Sequence, residues 1–152
     1  MSNSVKCSLL VGIPASGKST YAERLATVTG SVIISTDSIR ADLYGNESIQ
    51  GNFKDIEKRL HSDIKHYTDL NVSVIVDATH TKPEHRKPLL SLSSRIKWAC
   101  HWLNTDLKEC LKRNQARART VPSHVIESMH NQLKLTPPTT AEGFTNIYRM
   151  EA

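Results

Sequence analysis

The chain has 152 residues and a formal net charge of +5, a length that suits one domain with a single core and a balance that favours an anionic partner. No run approaches the ~18–20 apolar residues of a membrane span. The three cysteines, Cys7, Cys100 and Cys110, are odd in number and form no Cys-x-x-Cys pair, which argues against a disulfide framework and for reduced thiols in a cytoplasmic protein.

Met1 to Lys6 carries no apolar leader signal, and a single domain over 1–152 is expected. Val5 to Val11 reads as a buried strand. It runs into Gly12-Ile13-Pro14-Ala15-Ser16-Gly17-Lys18-Ser19-Thr20, which has the phosphate-loop spacing of Gly, four residues, then Gly-Lys-Ser. A helix to about Val28 follows, stopped by Gly30. Val32-Ile33-Ile34-Ser35 is a second strand, followed by Asp37 and a short helix over Ser38 to Leu43. Gly45 to Gly51 is polar and reads as a loop. Phe53, Ile56, Leu60, Ile64 and Tyr67 recur at helical spacing. Val72 to Asp77 is a third strand that ends in a carboxylate. Thr81-Lys82-Pro83-Glu84 has the capping-box form, and Pro88 should kink or shorten the helix it opens.

Ile96, Trp98, Cys100 and Trp102 alternate as a fourth strand whose tryptophans share a face. Thr105 or Asn104 can cap the next helix, through Leu107, Cys110 and Leu111. The basic run Lys112 to Arg119 comes next, then Val121-Pro122-Ser123. Val125, Ile126, Met129 and Leu133 mark a further helix, and Thr145 to Met150 a last strand. Strands alternate with helices throughout, which predicts a parallel sheet covered on both faces. There is no internal repeat or low-complexity linker.

In such a sheet the C-terminal strand ends share one edge, where ligands bind. Gly12 and Gly17 let the backbone approach a phosphate, whose charge meets successive N–H groups at a helix N-terminus. Lys18 supplies a cation, and the Ser19 hydroxyl suits Mg²⁺. Asp37 and Asp77 leave strands two and three at the same edge. Asp77 resembles an acidic strand end that reaches Mg²⁺; its alternative is a turn cap. Asp37 stands three residues before Arg40, so both share a helical face. A carboxylate there can take a proton from an attacking hydroxyl, and Arg40 can grip an anion; the alternative is a helix-capping Asp with a local salt bridge. Arg113 and Arg117, four apart and hence on one helical face, with Arg119 beyond, suit a mobile lid over the donor phosphates, or else a solvated basic face. Lys82, His85, Arg86 and Lys87 either line a strand path or form a solvated face. The seven histidines show no metal-ligand spacing.

Together the segments Gly-Ile-Pro-Ala-Ser-Gly-Lys-Ser-Thr, Ser-Thr-Asp37-Ser-Ile-Arg40, Val-Ile-Val-Asp77-Ala-Thr-His, Lys-Pro-Glu-His-Arg86 and Lys-Arg113-Asn-Gln-Ala-Arg117 resemble the kinase module of the polynucleotide 5′-hydroxyl kinases, within the P-loop kinase superfamily. The tail from Pro137-Pro138 to Glu142-Gly143-Phe144 adds to it. The resemblance implies a three-layer α/β P-loop kinase sandwich with a parallel sheet of about five strands, helices on both faces and a short Arg-bearing lid. It implies ATP and Mg²⁺ as cofactors and ATP-dependent phosphorylation of a DNA or RNA 5′-OH end. Gly12, Ala15, Ser16, Gly17, Lys18, Ser19, Thr20, Arg113 and Arg117 would bind ATP. Asp37 would act as general base, Arg40 would bind the acceptor phosphate, and Asp77 and Arg86 would lie on the substrate side. Ser19 and Asp77 are the implied metal contacts. Ala15 departs from the family's frequent Gly. No phosphatase or ligase module is present, so the expectation is a stand-alone kinase or a partner to end-healing enzymes on other chains. Small-molecule kinases on the same scaffold and a nucleotide-binding ATPase switch stay open as alternatives.

Overall fold

The computed structural model describes residues 4–46, 51–117 and 120–151. Five strands form one parallel sheet: β1 (Val5–Val11), β2 (Val32–Ser35), β3 (Val74–Asp77), β4 (Ile96–Asn104) and β5 (Asn146–Glu151), in the order β2-β3-β1-β4-β5. The central strand is apolar on both faces, with Leu9, Leu10 and Val11 fully buried. Every described strand pair is parallel, as the alternation of strands with helices predicts.

Two layers of helix cover this sheet. On one face α1 (Lys18–Thr29) packs Ala22, Leu25 and Ala26 against Leu10, Ile33 and Ile75. The other face carries the larger core. Here α2 (Thr36–Tyr44), α3 (Phe53–Asp69), α4 (Pro83–Leu90), α5 (Leu107–Gln115) and α6 (Ser123–Leu135) bury Ile39, Ile56, Leu60, Ile64, Leu89, Cys110 and Ile126 with Leu9, Val76 and Trp98. The sandwich is therefore three-layered but unequal.

Several local expectations differ from what is observed. Strand β3 starts at Val74 rather than Val72, because the Val72 N–H turns back to the Tyr67 carbonyl at 3.0 Å. The capping box at Thr81 does not form. Lys82 is the N-cap, and the buried Thr81 hydroxyl faces Gln132 Oε1 at 3.4 Å instead. Pro88 lies inside the short α4. Asp106, not Asn104 or Thr105, precedes α5. Trp98 is core at 1% exposure, but Trp102 is only partly buried, with the Arg149 guanidinium 4.8 Å from its ring. A capping box does occur at Thr139 and Glu142, at the start of a 3₁₀ turn over Thr140–Glu142.

Candidate active site

The loop after β1 wraps back on itself at the sheet's C-terminal edge. Its backbone uses left-handed conformations at Ala15 (φ 65°) and Gly17 (φ 100°). Gly17 suits this without a Cβ; Ala15 adopts it at a small steric cost that a Gly would not incur. At Gly12 a Cβ would stand 2.6 Å from Ser16 Oγ and 3.1 Å from the Leu103 carbonyl, so any other residue would force Ser16 to shift. Ser16 Oγ is buried without a hydrogen-bond partner among the described residues. A buried hydroxyl of this kind in a glycine-containing loop at a helix N-terminus suits an anion-binding cradle.

Lys18 opens α1 and is 8% exposed. Its Nζ donates to the Ile13 carbonyl at 3.0 Å, folding the side chain over the loop. Burial lowers its pKa, while the nearby Asp77 and Asp37 carboxylates work in the opposite direction. The neighbouring Ser19 hydroxyl donates to Asp77 Oδ2 at 3.0 Å. This contact follows from sheet order. Strand β3 lies next to β1, with Leu10 level with Asp77, so the carboxylate projects beside the start of α1.

Asp37 and Arg40 lie across the cleft, on α2. Ser35 takes the N-cap position and its hydroxyl accepts from the Ser38 N–H at 3.3 Å. The capping role is thus already filled, and Asp37 accepts instead from Arg40 Nη1 at 2.7 Å. Arg40 Nε is buried and lacks a partner among the described residues. One nitrogen of this guanidinium therefore holds Asp37, and both residues line the same cleft as the phosphate loop.

Arg113 projects from α5 towards the loop. Its Nε donates to Glu109 at 3.1 Å, and its Nη1 lies 3.5 Å from the Ala15 carbonyl. Helix α5 ends at Gln115, so Arg117 sits beyond it and the pair does not share a helical face as the spacing predicts. Both nevertheless line one cleft of about 610 Å³ with Lys18, Ser19, Asp37, Arg40 and Asp77. Arg119 lies outside the described residues. Arg86 is corrected outright: its side chain is 0% exposed and ion-paired to Glu142, so it cannot touch a substrate in the cleft.

Three contributors are not apparent from the sequence. The Thr105 hydroxyl, read there as a helix cap, donates to the Ser16 carbonyl at 2.7 Å and pins the phosphate loop to β4. The buried Asn114 donates to the Val121 carbonyl at 2.7 Å and accepts from its N–H at 2.9 Å, which closes the α5–α6 connection that carries Arg117. Val121, Val125 and Met129 form an apolar wall of the cleft. The spacing of Val125 and Met129 signalled only a further helix, and Val121 stood in the break before it.

Residues 8–136 match the sequence profile of the family described as AAA domain. The chain belongs to this AAA domain family. Its fold is that of the P-loop kinases. It superposes on a chain of the Pnkp1/Rnl/Hen1 RNA repair complex with a TM-score of 0.78 at 23% identity, over 87% of this chain and 45% of that one. A gluconokinase from Sinorhizobium meliloti gives 0.62 at 16% identity, over 99% and 83%. In sequence this AAA domain is 29% identical over 139 residues to the L-seryl-tRNA(Sec) kinase of Methanococcus maripaludis, covering 86% of this chain and 53% of that protein. The chain thus spans about half the length of the curated relative it matches.

The loop of this AAA domain suits a triphosphate with a divalent cation. The orphan Ser16 hydroxyl, the inward Lys18 and the Ser19–Asp77 pair supply donors for phosphate oxygens and hard oxygen ligands for Mg²⁺. Among the described residues no group of three or more His, Cys, Asp or Glu forms a metal cage. A cation held here would draw on phosphate oxygens for the rest of its shell.

Proposed function

We infer that this protein transfers the γ-phosphoryl group of ATP to the 5′-hydroxyl end of a nucleic acid. The observation that carries the reading is the Asp37–Arg40 pair, held at 2.7 Å in the same cleft as Lys18 and Ser19 of the phosphate loop. A hydroxyl acceptor needs a base, and a polynucleotide end has a phosphate one nucleotide away for a cation to hold. Asp37 takes the proton of the 5′-OH as its oxygen bonds to the γ-phosphorus. The bond from that phosphorus to the β–γ bridging oxygen breaks, and ADP leaves. Lys18, Arg113 and Arg117 offset charge on the phosphoryl oxygens. Bound Mg²⁺, held through Ser19 and Asp77, would neutralise the β- and γ-phosphates.

The apolar wall of Val121, Val125 and Met129 supports a nucleoside over a polyol, because it offers the terminal nucleotide a dry face opposite the charged one. The net charge of +5 points the same way. One relative is named for a tRNA-borne acceptor, and the Pnkp1 chain was solved in an RNA repair complex, so separate end-healing proteins are the partners we propose. A cytoplasmic setting fits Cys7, Cys100 and Cys110, all buried thiols. The competing reading is a small-molecule kinase, favoured by the likeness to the gluconokinase.

The test is incubation with γ-labelled ATP, Mg²⁺ and 5′-OH DNA and RNA oligomers beside gluconate and nucleosides. Label should appear on the oligomer. Label confined to a sugar or free nucleoside would overturn the nucleic-acid assignment.

A further inference from the structure

Arg86 is the one side chain assigned to the substrate by resemblance that the fold withdraws from it. It is also the most deeply buried charge described, at 0% exposure. Taking a guanidinium out of water is costly unless its donors are used. Arg86 uses them on three separate segments. Its Nε meets Glu142 Oε1 at 2.7 Å, Nη1 the His80 carbonyl at 3.0 Å, and Nη2 the Thr136 carbonyl at 2.8 Å.

Two of those segments lead to the cleft, and the third anchors the guanidinium. His80 lies three residues past Asp77, in a left-handed conformation at φ 43° that a non-glycine residue holds only when its surroundings enforce it. The preceding Thr79 lines the cleft, and its carbonyl accepts from the Gly12 N–H at 3.3 Å. The loop after β3 is thus tied on one side to the phosphate loop and on the other to Arg86. Thr136 follows α6, the helix that carries Val125 and Met129. A second bridge, from Thr81 to Gln132, joins the same loop to the same helix. Glu142 is itself fixed, its other oxygen accepting from the Thr139 N–H at 2.6 Å.

We propose that Arg86 is a positioning residue that sets the width of the acceptor half of the cleft, by holding the Thr79–Lys82 loop at a fixed distance from α6. This rests on the kinase reading above, but not on which hydroxyl is phosphorylated. A guanidinium suits the task because its rigid fork reaches three acceptors in different directions; an ammonium does not.

The test separates positioning from stability. Arg86→Lys keeps the charge and loses the fork. The double variant Arg86→Met with Glu142→Leu removes the buried pair together, a change that folds often tolerate. Thr81→Val cuts only the second bridge. For whichever acceptor the wild type uses, acceptor KM should rise roughly 10- to 100-fold in both Arg86 variants, with ATP KM within about twofold, since small misplacements at a bound substrate have effects of this size. Thr81→Val should shift the same ratio in the same direction by less. A merely structural arginine would lower Tm and leave the ratio of the two KM values in place. An unchanged ratio in either folded Arg86 variant overturns the proposal. Should neither fold, an unchanged ratio in Thr81→Val overturns it. A sugar as the acceptor would overturn the nucleic-acid assignment and leave this ratio still readable.

Discussion

Asp37 and Arg40 sit one helical turn apart, yet the structure gives them separable tasks. Asp37 is released from helix capping because Ser35 accepts the Ser38 N–H. Its oxygen at 2.7 Å from Arg40 Nη1 is held in a fixed direction. Replacement by Asn keeps the shape and removes the base. Asp37→Asn should therefore lower kcat by roughly 10²–10⁴ while ATP binding, followed by equilibrium titration, stays near the wild-type value. Arg40→Ala should act on the other partner. Acceptor KM should rise more than ATP KM, because Arg40 faces the anion rather than the donor. Equal rises in both would place Arg40 on the donor side. Ala15 is a milder case, where φ 65° makes the residue tolerated rather than favoured.

At the scale of elements, the site is assembled from connections more than from the elements themselves. The phosphate loop was legible because its glycines, lysine and serine each have a backbone or charge requirement at fixed spacing. Asp77 was legible because an apolar β-branched run ended on it. Sheet order decided which carboxylate stands next to Ser19, and no local pattern encodes order. The placement of Arg86 was not legible either. Its four-residue neighbourhood is polar, and the tertiary partners Glu142 and Thr136, about fifty residues away in sequence, draw it inward together with the nearer His80 carbonyl. The same holds for Thr105, whose hydroxyl acts on Ser16, 89 residues earlier.

Asn114 gives this point a test. Its side chain closes the α5–α6 connection by pairing with both backbone groups of Val121. Asn114→Ala leaves those part-buried backbone groups without their side-chain partner. It should cost about 1–3 kcal/mol in urea unfolding and lower kcat further than that loss explains, because Arg117 loses its anchor. Wild-type kcat in the folded variant would separate Arg117 placement from this connection.

For the molecule as a whole, His80 couples stability to pH. Burial, reinforced by the nearby His85, Arg86, His61 and Lys18, lowers its pKa to about 3 from an ordinary 6.5. In the unfolded chain it protonates near 6.5. Between those values the unfolded state carries the extra proton, so stability falls as pH drops and is unaffected by His80 above about 7. The slope from this one group should approach ~1.4 kcal/mol per pH unit below pH 6. His80→Asn, whose side chain tolerates the left-handed backbone, should flatten the dependence of urea midpoint on pH between about 6.5 and 4. An unchanged profile would show that other groups dominate.

The three thiols give the fold a clock. Cys7, Cys100 and Cys110 lie within the larger core, and burial raises all three pKa values, that of Cys100 to about 12. An alkylating reagent meets no thiolate until the core opens. Mass-resolved labelling should then show molecules carrying no adduct or three, with few between, and its rate should report opening. A ligand that binds only the closed fold slows that opening by mass action. Labelling in the presence of MgATP, of an oligonucleotide and of gluconate would rank the ligands of this cleft without any turnover.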